Sequence, residues 1–372
     1  MQYITLDVAR AVAAISVFLT HWSLWTRVYQ NPMTINLVDI LCYPIEFIWT
    51  GGGTHPGVII FIVLSGFCIH LPLAIKPDLY KLKNHWLIYF KRRAVRIFPV
   101  YWLGLILGIT CLLIVDSDFR LSENPLWLFL SFFMSGAGLG EIVRYTNVFP
   151  YLYWGNGPLN TVAVEIILYA TYPLLYIIYL KRRYLCLIGI CGSSYLIIVC
   201  LRYFEVDTNL KATYFEFLPY WAWGALCATF SARQSKETSP IAILIAIILI
   251  VSITYLYLIN YVHVKGLHVI TTNLFAIIVG LLLIVLIRYE TTSRKHDAKY
   301  LKPFSIISRR GYSLYAMHTP TIFLTIWALQ KASLPTWTFP WFTLLITFLT
   351  TEVCYRFIER PTQKLSKRLG IT

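Results

Sequence analysis

Three ionisable residues, Asp7, Arg10 and His21, lie in the first apolar stretch of the chain, residues 4–24. Ionisable groups are costly inside a membrane and mark functional sites when they face the protein interior. A helix advances about 100° per residue, so the three residues share one stripe, with Arg10 and His21 about 16 Å apart along the axis. A histidine can accept or donate a proton near neutral pH, and an arginine can bind an anionic group. The alternative is an Asp7–Arg10 ion pair with His21 packed near the outer interface.

Two further ionisable residues, Glu165 and His318, fall within apolar stretches. The stretch containing Glu165 is predicted to enter from the outer side, at a depth similar to that of His21. There, a carboxylate could orient the imidazole and stabilise its charged form. The alternative for Glu165 is hydrogen bonding to hydroxyl groups between helices. His318, in "GYSLYAMHTP", is either a second candidate base or a structural histidine. Three hydroxyl residues nearby are ready partners for it: Tyr312, Ser313 and Tyr315.

The basic segment "YFKRRAVRIFPVYW" contains Arg93 and Arg96, which lie on one helix face at i,i+3. Guanidinium groups bind phosphate in a bidentate manner, so the pair could clamp an anionic substrate. The alternative is ordinary anchoring of a cytoplasmic loop by positive charge. Near the C-terminus, four charged residues indicate an ion-pair network at the inner surface rather than catalysis: Glu352, Arg356, Glu359 and Arg360.

Composition defines the class of protein that must position these residues. The chain has 372 residues, of which 58% are hydrophobic and 13% charged, whereas soluble domains are about 25% charged. Apolar runs of about 20 residues recur throughout, which predicts an integral membrane protein with a single domain, residues 1–372. Its net charge of +15 is explained by Lys and Arg residues that collect in cytoplasmic loops and face anionic headgroups. We expect no nucleic-acid partner, since no basic, aromatic-rich module is present, and no metal, since the cysteines lack metal-binding spacing.

The predicted fold class is all-α, a polytopic transmembrane helical bundle of about ten spans plus one re-entrant or interfacial segment. The predicted spans are residues 4–24, 56–75, 97–115, 158–180, 184–201, 214–232, 240–260, 267–287, 306–329 and 339–358. The basic segments 76–96 and 181–183 both favour the cytoplasmic side, so an even number of crossings separates them. The short apolar segment 125–140 is therefore expected not to cross. Both termini are expected to be cytoplasmic, and the first span to be retained rather than cleaved.

These segments resemble the acyltransferase-3 family of integral membrane acyltransferases. Six similar motifs occur in order over about residues 4–361: an Arg and a His separated by ten residues (Arg10 and His21), "GVIIFIVLSGFCI", "RRAVRIFPVYW", "NGPLNTVAVEIILYATYPLL", "GYSLYAMHTP" and "YRFIERP". Each motif is weak alone, but their shared order along the chain is specific. Four positions depart from the residues common in the family, which affects donor or acceptor choice more than reaction type: Ile59, Asn160, Ala163 and Ile166.

The resemblance implies transfer of an acetyl or other short acyl group from acyl-CoA, usually acetyl-CoA, to a hydroxyl of a cell-surface or lipid-linked carbohydrate. The expected location is the bacterial inner membrane, with no permanently bound cofactor and no appended outer hydrolase-like domain. Arg93 and Arg96 would hold CoA at the inner face, and Arg10 would guide the donor inward. His21, supported by Glu165, would be the general base or a transient acyl carrier. Six residues are expected in supporting roles: Asp7, Ser65, Asn156, Ser313, Tyr315 and His318.

A secondary transporter or exporter of a glycan or a small anionic solute is the competing function. Polar residues lining a cavity, a proline-started span and a re-entrant segment are also features of transporters. The sequence lacks a clear pair of interrupted helices in corresponding halves, which favours the enzyme. A binding-only scaffold is less favoured, because it would not need a stripe of ionisable groups. The acceptor sugar and the oligomeric state stay open.

Overall fold

The computed structural model of the protein describes residues 3–28, 54–116, 125–139, 155–203, 214–232, 267–292 and 302–369. Within these ranges the chain is helical and contains no strand, which confirms the predicted all-α fold class. The α-helices are α1 Ile4–Val28, α2 Pro56–Ile75, α3 His85–Val115, α4 Pro125–Gly136, α5 Leu159–Tyr203, α6 Tyr214–Ala232, α7 Leu267–Thr292, α8 Lys302–Lys331, α9 Phe339–Cys354 and α10 Arg360–Arg368. Short 3-10 turns cover Pro77–Lys81 and Thr336–Thr338, and one π-helical turn, Tyr355–Glu359, joins α9 to α10.

Six described segments are long and apolar enough to cross a membrane, and the protein is an integral membrane protein. These segments are Ile4–Thr26, Pro56–Ile75, His85–Val115, Leu159–Leu180, Thr272–Thr291 and Thr336–Arg368. The predicted spans 214–232 and 306–329 form helices α6 and α8, and the predicted span 240–260 lies outside the described residues. The predicted spans 158–180 and 184–201 both lie in the single helix α5, so the structure does not separate them as predicted. The count of about ten spans is not confirmed, and the side of each terminus stays a prediction.

Helix α4 is too short to cross the hydrocarbon core. It has 12 residues and is therefore about 18 Å long, whereas the hydrocarbon core is about 30 Å thick. Pro125 starts the helix, and Gly138 follows its end with a φ of 74°, a conformation that favours glycine. This length fits the non-spanning segment predicted at 125–140.

Helix α5 corrects the predicted cytoplasmic loop at 181–183. The structure has one continuous helix of 45 residues, Leu159–Tyr203, through this position. Lys181, Arg182 and Arg183 are good helix formers, and neither glycine nor proline occurs between Pro173 and Gly189. The basic residues mark a polar point in an apolar run, but nothing in the local sequence ends the helix there.

The chain packs as two compact units built from interleaved segments. The first comprises Met1–Ala13, Glu46–His85 and Thr171–Arg309, and the second comprises Ala14–Ile45, Trp86–Ala170 and Arg310–Thr372. The expected single domain stays a prediction.

In the first unit, glycines allow α2 and α6 to pack backbone against backbone. A Cβ on Gly66 would overlap the carbonyl oxygen of Trp221, and a Cβ on Gly224 would overlap that of Val63. Small residues permit this close approach of membrane helices. At the start of α1, the Glu290 carboxylate accepts hydrogen bonds from backbone N–H groups at 2.6 and 3.0 Å, which satisfies donors that have no partner within the helix.

In the second unit, Trp22 fixes the second half of α1 against α9. Its side chain is only 4% exposed, and its indole N–H donates to the carbonyl oxygen of Pro340 at 3.1 Å and to the hydroxyl of Thr343 at 3.0 Å. The neighbouring Phe18 ring stacks on Trp22 with centroids 6.3 Å apart. These contacts set the rotation of α1 and therefore the direction in which His21 points.

Candidate active site

His21 and His318 form a hydrogen-bonded pair in the second unit. The Nε2 atom of His318, on α8, lies 3.1 Å from the Nδ1 atom of His21, on α1. The ring centroids are 5.0 Å apart, and His318 is fully buried at 0% exposure. His21 also hydrogen-bonds to the backbone of Val17. His318 is thus a direct hydrogen-bonding partner of His21.

The other ring nitrogen of His318 faces backbone carbonyl groups of its own helix. Its Nδ1 atom lies 3.1 Å from the carbonyl oxygen of Leu314 and 2.9 Å from that of Tyr315. The ring of Phe18 packs edge-on against the His318 ring, with centroids 6.4 Å apart. Tyr315 therefore meets His318 through its backbone carbonyl, whereas the sequence suggested a hydroxyl partner. The imidazole of His318 has a defined orientation.

Glu165 lies in the second unit near two tyrosine hydroxyls. On α5 it is half-buried, and it interacts electrostatically with Tyr312 and Tyr315. Tyr315 also hydrogen-bonds to the side chain of Thr161, one turn before Glu165, and the Tyr312 hydroxyl donates to the carbonyl oxygen of Ile97 at 2.9 Å. Glu165 of α5 thus belongs to a polar cluster with Tyr312 and Tyr315, which lie on the part of α8 that carries His318. Direct support of His21 by Glu165 stays a prediction.

Asn156 joins three segments close to the histidine pair. Its buried side-chain Nδ2 donates to the carbonyl oxygens of Gly104 at 3.1 Å and Ala316 at 2.8 Å. The preceding residue, Gly155, has a φ of 77°, and a Cβ there would lie 2.6 Å from the carbonyl oxygen of Gly108. A glycine is therefore needed for the turn that aims Asn156 between α3 and α8. The predicted supporting role of Asn156 is consistent with this position, because Ala316 lies two residues before His318.

Arg93 and Arg96 differ in their surroundings although they share one helix face. The Arg93 guanidinium lies 5.8 Å from the ring centroid of Tyr89 and 5.5 Å from that of Tyr169. Its Nε atom is buried and has no hydrogen-bond partner in the described part of the chain. Arg96 is exposed and interacts electrostatically with Glu359. Of these two arginines, Arg93 is therefore the one with a buried guanidinium nitrogen that has no hydrogen-bond partner among the described residues.

Ser313 is held by a buried glutamate that the sequence assigned to an ion-pair network. Glu359 is 3% exposed and accepts hydrogen bonds from the Ser313 backbone N–H at 3.0 Å and from the Ser313 hydroxyl at 2.5 Å. Its other carboxylate oxygen accepts from Gln363 at 2.8 Å. The π-helical turn Tyr355–Glu359 adds a residue to one turn and rotates Glu359 inward. The only feature of the sequence that singled out Glu359 was the "YRFIERP" motif in which it lies.

Of the predicted network near the C-terminus, the structure shows the ion pair of Glu352 with Arg356. Glu352 binds Arg356 at 2.5 Å, as the i,i+4 spacing indicated. It also binds Arg310 from α8 at 2.5 Å, and the Arg310 guanidinium lies 4.5 Å from the ring centroid of Tyr355. These pairs connect α8 to the end of α9 and serve packing.

Asp7, Arg10 and Ser65 lie in the first unit. Arg10 pairs with Asp7 at 3.4 Å and donates to the Cys68 sulfur at 2.8 Å, and the Ser308 hydroxyl donates to Asp7 at 3.2 Å. Ser65 is half-buried on α2. The Asp7–Arg10 ion pair named as an alternative is therefore present. Arg10 and His21 share one continuous helix, as predicted.

Within the described ranges, no group of three or more His, Cys, Asp or Glu side chains could hold a metal ion. The profile of a family described as an acyltransferase domain matches residues 3–358. The chain is an integral membrane protein that belongs to this acyltransferase-3 family.

Two curated relatives are similar over most of the chain. The O-acetyltransferase OatA of Staphylococcus aureus is 24% identical over 355 residues, covering 88% of this chain and 55% of the relative. The peptidoglycan O-acetyltransferase OatA of Listeria monocytogenes is 24% identical over 363 residues, covering 88% of this chain and 54% of the relative. The chain thus spans about half the length of the curated relatives it matches. No solved structure matches the chain.

Proposed function

We propose that this chain is a membrane O-acyltransferase that moves an acetyl or other short acyl group from cytoplasmic acyl-CoA to a hydroxyl of a cell-surface or lipid-linked carbohydrate. The observation that carries the proposal is the buried pair of His21 and His318. An imidazole held in a fixed orientation can take a proton from an acceptor hydroxyl and return it to the leaving group. Family membership supports acyl transfer, and the names of the relatives support acetyl as the group and a hydroxyl as the acceptor.

Arg93 is the residue that we propose to hold the donor. CoA is polyanionic, and a guanidinium supplies both charge and paired N–H donors to a phosphate. The two tyrosine rings beside Arg93 fix its orientation, and the buried Nε–H has no hydrogen-bond partner among the described residues. Arg96, one turn further along α3, would add charge. Acyl-CoA is a substrate in this proposal, and no permanently bound cofactor is required.

His21 is the residue that we propose to perform the transfer, by one of two routes. As a general base, it takes the proton of the acceptor hydroxyl while the oxygen attacks the thioester carbonyl carbon. The C–S bond then breaks, and the CoA thiolate receives the proton from the imidazolium. As a nucleophile, the imidazole attacks the carbonyl carbon first, and the C–S bond breaks to give an acyl-imidazolium and the CoA thiolate. The acceptor oxygen then attacks the acyl carbon, the C–N bond breaks, and the hydroxyl proton passes to the thiolate, so that CoA leaves as the thiol. In both routes Glu165 would help to set the electrostatics of the site through the tyrosines near it.

A cell-wall glycan is the first acceptor to test, because the name of the Listeria relative specifies peptidoglycan. The test is incubation of purified protein with acetyl-CoA and glycan, with the free CoA thiol and the glycan acetyl esters both measured. The proposal predicts equal appearance of thiol and ester, and loss of the ester from surface glycans of cells that lack the protein. Binding of acetyl-CoA without consumption of the thioester, together with unchanged surface glycans, would contradict the enzyme and favour a transporter.

A further inference from the structure

We propose that His318 is a positioning residue that fixes the tautomer of His21, so that Nε2 of His21 is the nitrogen that accepts the proton or the acyl group. This inference rests on the proposed function and adds the role of each ring nitrogen to it. It is carried by three hydrogen-bonding contacts of the described residues, all within the second unit.

The backbone of α8 fixes the tautomer of His318. Its Nδ1 atom faces the carbonyl oxygens of Leu314 and Tyr315 at 3.1 and 2.9 Å. A carbonyl oxygen can only accept a hydrogen bond, so Nδ1 must carry the proton. In a neutral imidazole one nitrogen is protonated and the other holds a lone pair. The Nε2 atom of His318 is therefore an acceptor.

The acceptor nitrogen of His318 then determines which nitrogen of His21 carries the proton. The Nδ1 atom of His21 lies 3.1 Å from the Nε2 atom of His318. Because Nε2 of His318 is an acceptor, Nδ1 of His21 must be the donor and carry the proton. The lone pair of a neutral His21 then lies on its Nε2 atom. The backbone carbonyl groups of α8 thus fix the tautomer of His318, and His318 in turn fixes the tautomer of His21.

Packing keeps the His318 ring in this orientation. The side chain is fully buried, and the Phe18 ring packs against it. The Asn156 amide donates to the carbonyl oxygen of Ala316, two residues before His318, at 2.8 Å, which holds this part of α8. A rotation of the His318 ring by 180° would place the Cδ2–H group, instead of Nδ1–H, against the two carbonyl oxygens and lose these hydrogen bonds. Buried polar groups without partners cost about 1–3 kcal/mol each, which disfavours the rotated ring.

The consequence for the reaction is a defined proton path. When Nε2 of His21 takes the hydroxyl proton, the ring becomes an imidazolium whose Nδ1–H still donates to His318. A hydrogen bond from a charged donor is about twice as strong as one between neutral groups. The contact is therefore worth more after proton uptake than before it, which favours the step. The proton leaves from the same Nε2 atom to the CoA sulfur, and His318 stays neutral throughout.

The test compares His318→Gln with His318→Phe in matched membrane preparations. A glutamine amide oxygen can take the place of Nε2 as an acceptor, whereas phenylalanine fills the space without one. We expect kcat to fall by about 10²–10⁴-fold in His318→Phe and to stay within about tenfold of wild type in His318→Gln, with the KM for acetyl-CoA unchanged in both. Equal losses of kcat in the two variants would overturn the proposal, because they would show that the acceptor is not what matters.

His70→Phe is the matched control for loss of a buried histidine. His70 lies in the first unit and also uses both ring nitrogens, with Tyr172 at 3.0 Å and Thr229 at 3.1 Å. We expect His70→Phe to lower stability and to leave kcat unchanged at equal amounts of folded protein.

A double variant keeps the test decisive even where His318→Phe folds poorly. His21→Ala combined with His318→Gln should be no slower than His21→Ala alone, because residues that act as a unit are not additive. A further loss in the double variant would overturn the tautomer role. Failure of the proposed function gives a different result, namely wild-type protein that transfers no acetyl group or a His21→Ala variant with nearly full activity.

Discussion

Replacement of Arg93 by alanine should weaken CoA binding more than replacement of Arg96. Arg93 lies against Tyr89 and Tyr169, and its Nε–H is buried without a hydrogen-bond partner in the described part of the chain. Arg96 is exposed and already interacts with the carboxylate of Glu359. A phosphate group of CoA would therefore gain more from Arg93 than from Arg96.

The expected magnitude follows from the kind of contact. A hydrogen bond to a charged group contributes about 1.5–3 kcal/mol, which corresponds to a change of roughly 10- to 150-fold in Kd. Arg93→Ala should fall in this range, and Arg96→Ala should lose less than about tenfold, as for an exposed charge. Arg93→Lys should recover only part of the loss, because an ammonium group cannot form a bidentate contact and stacks poorly on the tyrosine rings.

The assay is calorimetric titration of CoA into protein purified in detergent. Arg309→Ala is the matched control, since Arg309 is an exposed arginine that bonds Ser305 within α8, and its replacement should change Kd by less than about twofold. Titration with CoA lacking its 3′-phosphate would show which phosphate Arg93 contacts. An unchanged Kd for Arg93→Ala, or an equal loss for Arg309→Ala, would refute the assignment and return Arg93 to membrane anchoring.

Two further predictions concern the fold. Single cysteines at positions 121 and 147, on either side of α4, should both react with an impermeant thiol reagent added from outside, because a 12-residue helix is too short to cross; labelling at one position alone would show that the segment crosses. Gly66→Ala should lower the thermal unfolding midpoint in detergent, because its Cβ would overlap the Trp221 carbonyl oxygen and overpacking costs about 1–3 kcal/mol. Gly157→Ala, where nothing lies within 4 Å of the new Cβ, should leave the midpoint unchanged, and equal shifts in the two variants would contradict the packing argument.

The helices could be predicted from apolar runs, because length and hydropathy determine which segments suit a bilayer. The continuation of α5 through Lys181 could not be predicted in this way. Basic residues indicate a preferred side of the membrane, but they are also good helix formers, so α5 continues through them. Glu359 shows a second limit of the same kind. A period of 3.6 residues places it with Glu352 and Arg356, whereas the π-helical turn rotates it to Ser313.

The residue types of the candidate site could also be predicted, but one partner of His21 could not. His21 and His318 are separated by 297 positions, and a contact at that distance depends on how α1 and α8 pack. Glu165 was suggested as the partner because it lies at a depth in the membrane similar to that of His21. The positions of the predicted spans give the depth of a residue but not the direction in which it faces. The rotation of each helix decides which residue at that depth faces His21. In the structure, Trp22 and its partners on α9 set that rotation for α1.

Acetyl transfer by His21→Ala shows whether His21 performs the acyl transfer. Labelled acetyl-CoA is supplied to membranes with matched amounts of wild-type and variant protein, and the label in the glycan is counted. We expect normal insertion, near-normal CoA binding and a rate at least about 10²–10⁴-fold below wild type, the range for loss of a general base. A His21→Ala protein that acetylates at about a tenth of the wild-type rate or faster would contradict the account and make His318 the next candidate base.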